Sequence, residues 1–233
     1  MGDVLFPRVV RKTTTPFHVA QTFADNTWET IIKACQNNRV PDSWAVGDQK
    51  TMTINGVGYV IDIIGKNHDD YSDGSGKAPL TFQLHDCVPT TYQMNSSNTN
   101  SGSWENSGIR NTHLPAFFAT MPIEVQAAIK EVNKLTSAGE QRSTIVTTAD
   151  KLFLLSEIEV IGSTTYSYGG EGSRYAYYVT GVEAKRVNGS INYWWTRSPE
   201  RQATASFCMI SGLGTSHNGN AINDYGVSFA FCF

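Results

Sequence analysis

The chain has 233 residues, 40% hydrophobic and 17% charged, with apolar residues spread along its whole length; this is the composition of one folded domain rather than of a disordered or fibrous segment. A net charge of −3, with Lys and Arg scattered singly, gives no basic field for a phosphate backbone and argues against nucleic acid as a partner. The four cysteines, Cys35, Cys87, Cys208 and Cys232, have neither C-x-x-C spacing nor a disulfide framework, so buried free thiols are expected, with no metal and no cofactor.

Residues 1–24 read as an N-terminal arm or strand and residues 25–233 as a single domain. In the arm, Arg8, Arg11 and Lys12 follow the short apolar run, the reverse of a secretory signal, and no run reaches membrane-spanning length. The expectation is a soluble chain without a signal peptide or direct membrane insertion.

Asn26 followed by Glu29 resembles a capping box and predicts a helix over about residues 27–37. The alternating stretch 52–64 contains Asn55-Gly56, which suits a tight hairpin. The acidic loop 67–76 lacks the closing glutamate of an EF-hand and reads as a solvated turn. Leu80–Leu84 reads as a third strand. Residues 90–112 are polar but interrupted by Trp104 and Ile109, as in an ordered loop.

A longer helix is predicted over 121–136, with Pro122 in its first turn and Val125, Ala128, Ile129, Val132 and Leu135 at spacings of three and four. Residues 151–156 then read as a strand, with Glu157 and Glu159 at its solvated end. Asn188-Gly189 marks a turn, and residues 191–233 read as strands separated by polar loops. The fold expected is α+β with antiparallel sheets.

Catalytic patterns are weak. The five histidines lack H-E-x-x-H or H-x-H spacing. His85-Asp86-Cys87 invites a Cys–His nucleophile, a reading set aside in favour of ordinary strand residues. The glycine clusters at 169–172 and 212–214 lack the strand-to-helix context of a phosphate loop.

More distinctive is Tyr193-Trp194-Trp195-Thr196-Arg197-Ser198-Pro199, followed by a polar stretch, Gly226-Val227 and an aromatic last strand. This pattern resembles the C-terminal half of a C-type-lectin-like fold, and more narrowly formylglycine-generating-enzyme-like domains and the variable proteins of diversity-generating retroelements. The upstream residues Val46-Gly47-Asp48, Trp104, Ile109-Arg110, Met121-Pro122 and 151–160 are similar to an uncharacterised domain of phage tail and bacterial surface proteins.

The resemblance implies a C-type-lectin-like fold of two main helices on small antiparallel sheets. It also implies a ligand- or receptor-binding display protein whose partner is a protein or cell-surface receptor, carried on a phage tail or bacterial surface through a partner. The matching ligand-facing candidates are Thr196, Glu200, Arg201, Ala203, Thr204, Ser206, Ser211, Thr215, Ser216, His217, Asn218, Asn220, Asn223, Asp224 and Tyr225. Short polar and aromatic side chains on a rigid sheet have the physical character of a paratope. The alternative is an oxidoreductase or other enzyme on the same fold. Against it, Cys208 and Cys232 stand apart where those enzymes use a neighbouring pair for copper. The Glu-Pro-Asn and Gln-Pro-Asp motifs of calcium-dependent sugar sites are also absent.

Overall fold

The computed structural model describes residues 18–180 and 184–233; residues 1–17 of the expected arm lie outside the described residues. The Asn26 side chain donates to the carbonyls of Ala20 and Thr22 at 3.1 and 2.8 Å. With Asn26 so engaged, helix α1 (Trp28–Gln36) is capped by Thr27, whose hydroxyl accepts the Thr30 N–H at 3.1 Å. Ile31, Ile32, Ala34 and Cys35 form its buried side. Strands β1 (Gln49–Ile54) and β2 (Val57–Lys66) follow. They meet at Asn55-Gly56, with φ of 48° and 78°, the left-handed pair that a two-residue hairpin needs. Strand β3 (Leu80–Leu84), buried at every position, pairs with β2.

A π-helical turn (Ile109–His113) leads into helices α2 (Leu114–Phe118) and α3 (Ile123–Ala128). Here the expected 121–136 helix fails. Ile129 leaves the helix at ψ 124°, the Lys130 N–H bonds the Cys232 carbonyl at 3.1 Å, and Val132–Gly139 is strand β4. The buried residues of β4 include Val132, Lys134 and Thr136, a period of two disguised by a lysine in an inward position. Leu135, counted as part of a buried helical stripe, is instead 37% exposed.

Strand β5 (Arg142–Asp150) returns from β4 through Glu140-Gln141, both at positive φ. The short β6 (Leu152–Phe153) precedes α4 (Glu157–Ile161). Thus Glu157 and Glu159 lie in the first turn of a helix, not on a strand end. Helix α5 (Ala176–Thr180) and the hairpin of β7 (Lys185–Val187) and β8 (Ser190–Asn192) follow, the hairpin turning at Asn188-Gly189. The chain closes with β9 (Trp194–Pro199), β10 (Ser206–Ile210), β11 (Ser216–Asn220) and β12 (Ala230–Cys232). Within the 227–233 run, Ala230–Cys232 is the regular strand.

A five-stranded sheet ordered β1-β2-β3-β12-β6 carries the core, and β11-β10-β9 forms a separate three-stranded sheet. Among the described residues, the pairings between these strands are antiparallel, and Trp194 makes an isolated parallel bridge to Gly226. The expectation of a C-type-lectin-like fold with two main helices is overturned: the described residues form mostly small antiparallel sheets with five short α-helices, the longest of nine residues. The stretch from Val125 to Thr136 carries inward residues at both helical and strand spacing, and pairing with β5 decided for strand in its second half.

Candidate functional site

The sheet β9-β10-β11 has two unlike sides. Cross-strand partners share a face, and the register aligns Trp195 with Met209 and Met209 with His217. Trp195 and Met209 are nonetheless buried, because Tyr225 lies across them. Its ring is 4.8 Å from that of Trp195 in an edge-on arrangement, and it passes over Gly219, where a Cβ would stand 2.6 Å from the Tyr225 ring. The Trp195 indole N–H, unable to reach water, donates to the Tyr92 carbonyl at 2.7 Å. From this base a chain of partly exposed rings runs outward: Tyr225 to Tyr193 at 6.0 Å, Tyr193 to His217 at 5.6 Å, His217 to Tyr166 at 6.3 Å. Backbone pairing of Tyr225 with Tyr92 extends the strip to His113, 4.4 Å from Tyr92. Both rings line a cleft of about 270 Å³ with Tyr59 and Phe117.

The sequence candidates divide by burial. Thr204, Thr215, His217, Asn220, Asn223 and Asp224 are exposed, and Arg201, Ala203, Ser216, Asn218 and Tyr225 are partly so. His217 and Tyr225 belong to the aromatic strip, and the Asn223 amide donates to the Tyr225 hydroxyl at 3.4 Å. The remaining four are scaffold. Thr196 is buried and donates to the Cys208 carbonyl at 2.9 Å, Glu200 and Ser206 are buried, and buried Ser211 bonds Thr215 inside the β10–β11 turn. Sequence reasoning missed Tyr166, Tyr193, Tyr92 and His113. Tyr193 had a signal, since it stands one residue before the buried Trp194-Trp195 pair, where alternation places a side chain outward.

The turn 200–206 is held by Asn100, whose side-chain amide donates to the carbonyls of Ala203 and Ser206 at 2.7 and 2.9 Å and whose N–H donates to the Thr204 carbonyl at 2.7 Å. Gly139 packs on Asn100; a Cβ there would stand 2.2 Å from the Asn100 carbonyl oxygen.

Beneath the sheet lies a charged core. The β9–β10 register is irregular between Phe207 and Met209, and just past Trp195 the fully buried Arg197 points inward. Arg197 donates to Glu159 at 2.5 and 3.0 Å, and to the carbonyls of Leu135, Leu154 and Glu171. Lys134 bridges Glu159 at 2.8 Å and Asp69 at 2.7 Å. Asp69 also accepts from Thr81 and Tyr175. Burial alone would raise the Asp69 carboxyl, but the charge and hydrogen bond of Lys134, with the Thr81 hydrogen bond, hold it down at about 2. Glu159 is likewise held low against its burial by Arg197 and Lys134. Glu171 is a further ionisable group, and burial pushes its carboxyl up despite hydrogen bonds from Ser198 and the Ser137 N–H. Glu157 ties the network to β11 by accepting the N–H groups of Tyr166 and Ser167 and the Ser216 hydroxyl.

A family described as a domain of unknown function, DUF6273, matches residues 80–233, which covers β3 through β12, the aromatic strip and most of the charged core. The chain belongs to the DUF6273 family. No curated protein and no solved structure matches it.

Other clusters of this DUF6273 chain are committed to structure. In the acidic loop, Asp69 belongs to the core, Asp70 pairs with Lys77 at 2.9 Å, and Asp73 accepts the Ser75 N–H. Cys208 sits near the Pro199 carbonyl in the three-stranded sheet and Cys232 near Asp69 in the five-stranded one, and burial pushes both thiols far up. Cys87 is buried against Gly226 with its thiol pushed up to about 12 by burial. His85 faces away from such chemistry: its Nδ1 bonds the buried Asp62 at 2.9 Å, and this bond raises its pKa.

Proposed function

We propose that this chain is a ligand- or receptor-binding protein that presents the aromatic strip and the loop 220–225 to a protein or cell-surface partner, on a phage tail or bacterial surface to which a carrier holds it. The observation carrying this reading is the chain of rings Tyr225, Tyr193, His217 and Tyr166, set on β11 and the segments beside it and β9, against strands β9 and β10, which are buried at every position. Tyrosine and histidine give large amphipathic contact area with few rotatable bonds, and the neighbouring Asn220, Asn223 and Asp224 supply adaptable hydrogen bonds. A rigid base lowers the ordering cost of binding.

The test is a binding screen of the full chain against fractionated bacterial envelope proteins, run beside a variant carrying Tyr193→Ala, His217→Ala and Asn223→Ala. Binding that falls at least about tenfold in the variant, with an unchanged melting temperature, supports the reading. Binding retained by the variant moves the face elsewhere, and the absence of any captured partner counts against the function itself.

A further inference from the structure

Among the described residues, the hairpin β4–β5 leaves one edge uncovered. On β4, the N–H groups of Asn133 and Ser137 bond Asp70 and Glu171, and the Leu135 carbonyl accepts from Arg197. These three residues therefore direct their backbone groups away from β5. Residues opposed in an antiparallel ladder either bond each other or both face outward, so their partners Ala149, Ile145 and Thr147 direct theirs away from β4. The Ala149 carbonyl receives an Arg110 N–H at 3.4 Å; among the described residues, the N–H and C=O of Ile145 and Thr147 have no partner.

Proteins usually blunt such edges with Lys, Pro or a bulge. Residues 143–149 read Ser-Thr-Ile-Val-Thr-Thr-Ala, with no charge and no proline, and the register from Val132↔Asp150 to Ser137↔Ile145 is regular. The face beside the edge is also uncharged: Asn133, Leu135, Thr147 and Ala149 are exposed and Ile145 is half-buried. Two edges in the other sheets are guarded. On β1 the Thr51 carbonyl accepts the Trp28 indole N–H and Lys50 reaches the Ala24 carbonyl, and on β11 the His217 ring bonds the backbone of Asn218.

We infer that this edge pairs with the same edge of a second copy of the chain, antiparallel about a twofold axis at Thr147, giving a continuous four-stranded sheet. That register sets Thr147 opposite Thr147 of the second copy and Ile145 opposite its Ala149, a β-branched pair and an apolar pair with no charges opposed. The flat Ser, Thr and Ala positions offer an unrelated peptide backbone bonds but no side-chain pockets, whereas the second copy supplies matching side chains as well. A ladder this short buries far less than the roughly 1,200–2,000 Å² of a stable complex, so the association is weak, in about the micromolar to millimolar range.

Sedimentation equilibrium of the full chain from about 5 μM to about 1 mM tests this. The expected result is a concentration-dependent dimer for the natural sequence, and monomers for Thr147→Lys and for Thr147→Asp, in each of which like charges meet on the axis. An equimolar mixture of the two variants should dimerise again. Hydrogen exchange gives an independent reading, because the Ile145 and Thr147 amides should gain protection as concentration rises. A natural chain that stays monomeric throughout, or dimers that persist in both variants, would overturn the inference. So would protection of these two amides that appears only when an extended peptide is added.

Discussion

The three-stranded sheet separates two surfaces built on opposite principles. Inward, Arg197, Lys134, Asp69 and Glu159 are buried and each answers to several partners. Outward, Tyr193, His217 and Asn223 stand in solvent, with few partners among the described residues. Removing one member of the inner set strands a charge in low dielectric, whereas an outer side chain can change without orphaning any buried group. Strand β9 supplies Arg197 to the inner set and Tyr193 directly precedes it, so a rigid floor and a changeable top meet within a few residues of chain.

The largest expected break is on the inner side. Arg197→Met leaves Glu159 buried with one cation fewer and is expected to cost about 3–5 kcal/mol in urea unfolding; a loss under about 1 kcal/mol would show the two sides to be energetically alike. Acid should reach the same network. Because the Asp69 carboxyl is held at about 2, below its unfolded range, its stabilisation is full above about pH 4 and is lost as pH falls through 2. Asp69→Asn should flatten that part of the stability–pH curve, and an unchanged slope would exclude this carboxylate as its source.

Next comes the boundary between the sides. Gly219→Ala forces a methyl into the Tyr225 ring and is expected to cost about 1–3 kcal/mol, with near-ultraviolet dichroism reporting the displaced aromatic packing. Glu171→Gln sharpens the inner comparison. Burial already favours the uncharged carboxyl there, and a glutamine keeps an acceptor for the Ser137 N–H and offers a donor to Ser198, so the change should stay within about 1 kcal/mol. The smallest effects belong to the top: His217→Ala and Asn223→Ala should each shift stability by no more than about 0.5 kcal/mol, and larger losses would mean that the strip is part of the scaffold.

Local chemistry made several elements readable in the sequence. Asn55-Gly56 and Asn188-Gly189 carry the positive φ that hairpins demand, and Leu80–Leu84 and the Phe207 run are short apolar strands. What failed depended on distant partners. Lys134 reads as a solvent-facing residue until Asp69 and Glu159, 65 and 25 positions away in the chain, are brought to it; its inward place is what hides the period of two in 132–139. In the site, His217 and Tyr225 were legible because they lie in a polar stretch after the Trp pair. Thr196, Glu200, Ser206 and Ser211 looked equally polar, and only the packing of β9 and β10 tells them from surface residues. The strip's outer rings at Tyr166 and Tyr92 come from other parts of the chain, so no sequence window contains it.

Asn100 grips the turn 200–206 almost wholly through carbonyl oxygens, a group that every amino acid possesses. Such a clasp is blind to side-chain identity. Positions 201, 202 and 204, whose side chains are partly or fully in solvent, are thus free to drift under mutation while the loop's path stays the same. The constraint falls instead on Asn100 itself and on Gly139, whose missing side chain lets the two segments touch. Heritable change at the rim is insulated from the fold by two residues that lie outside it.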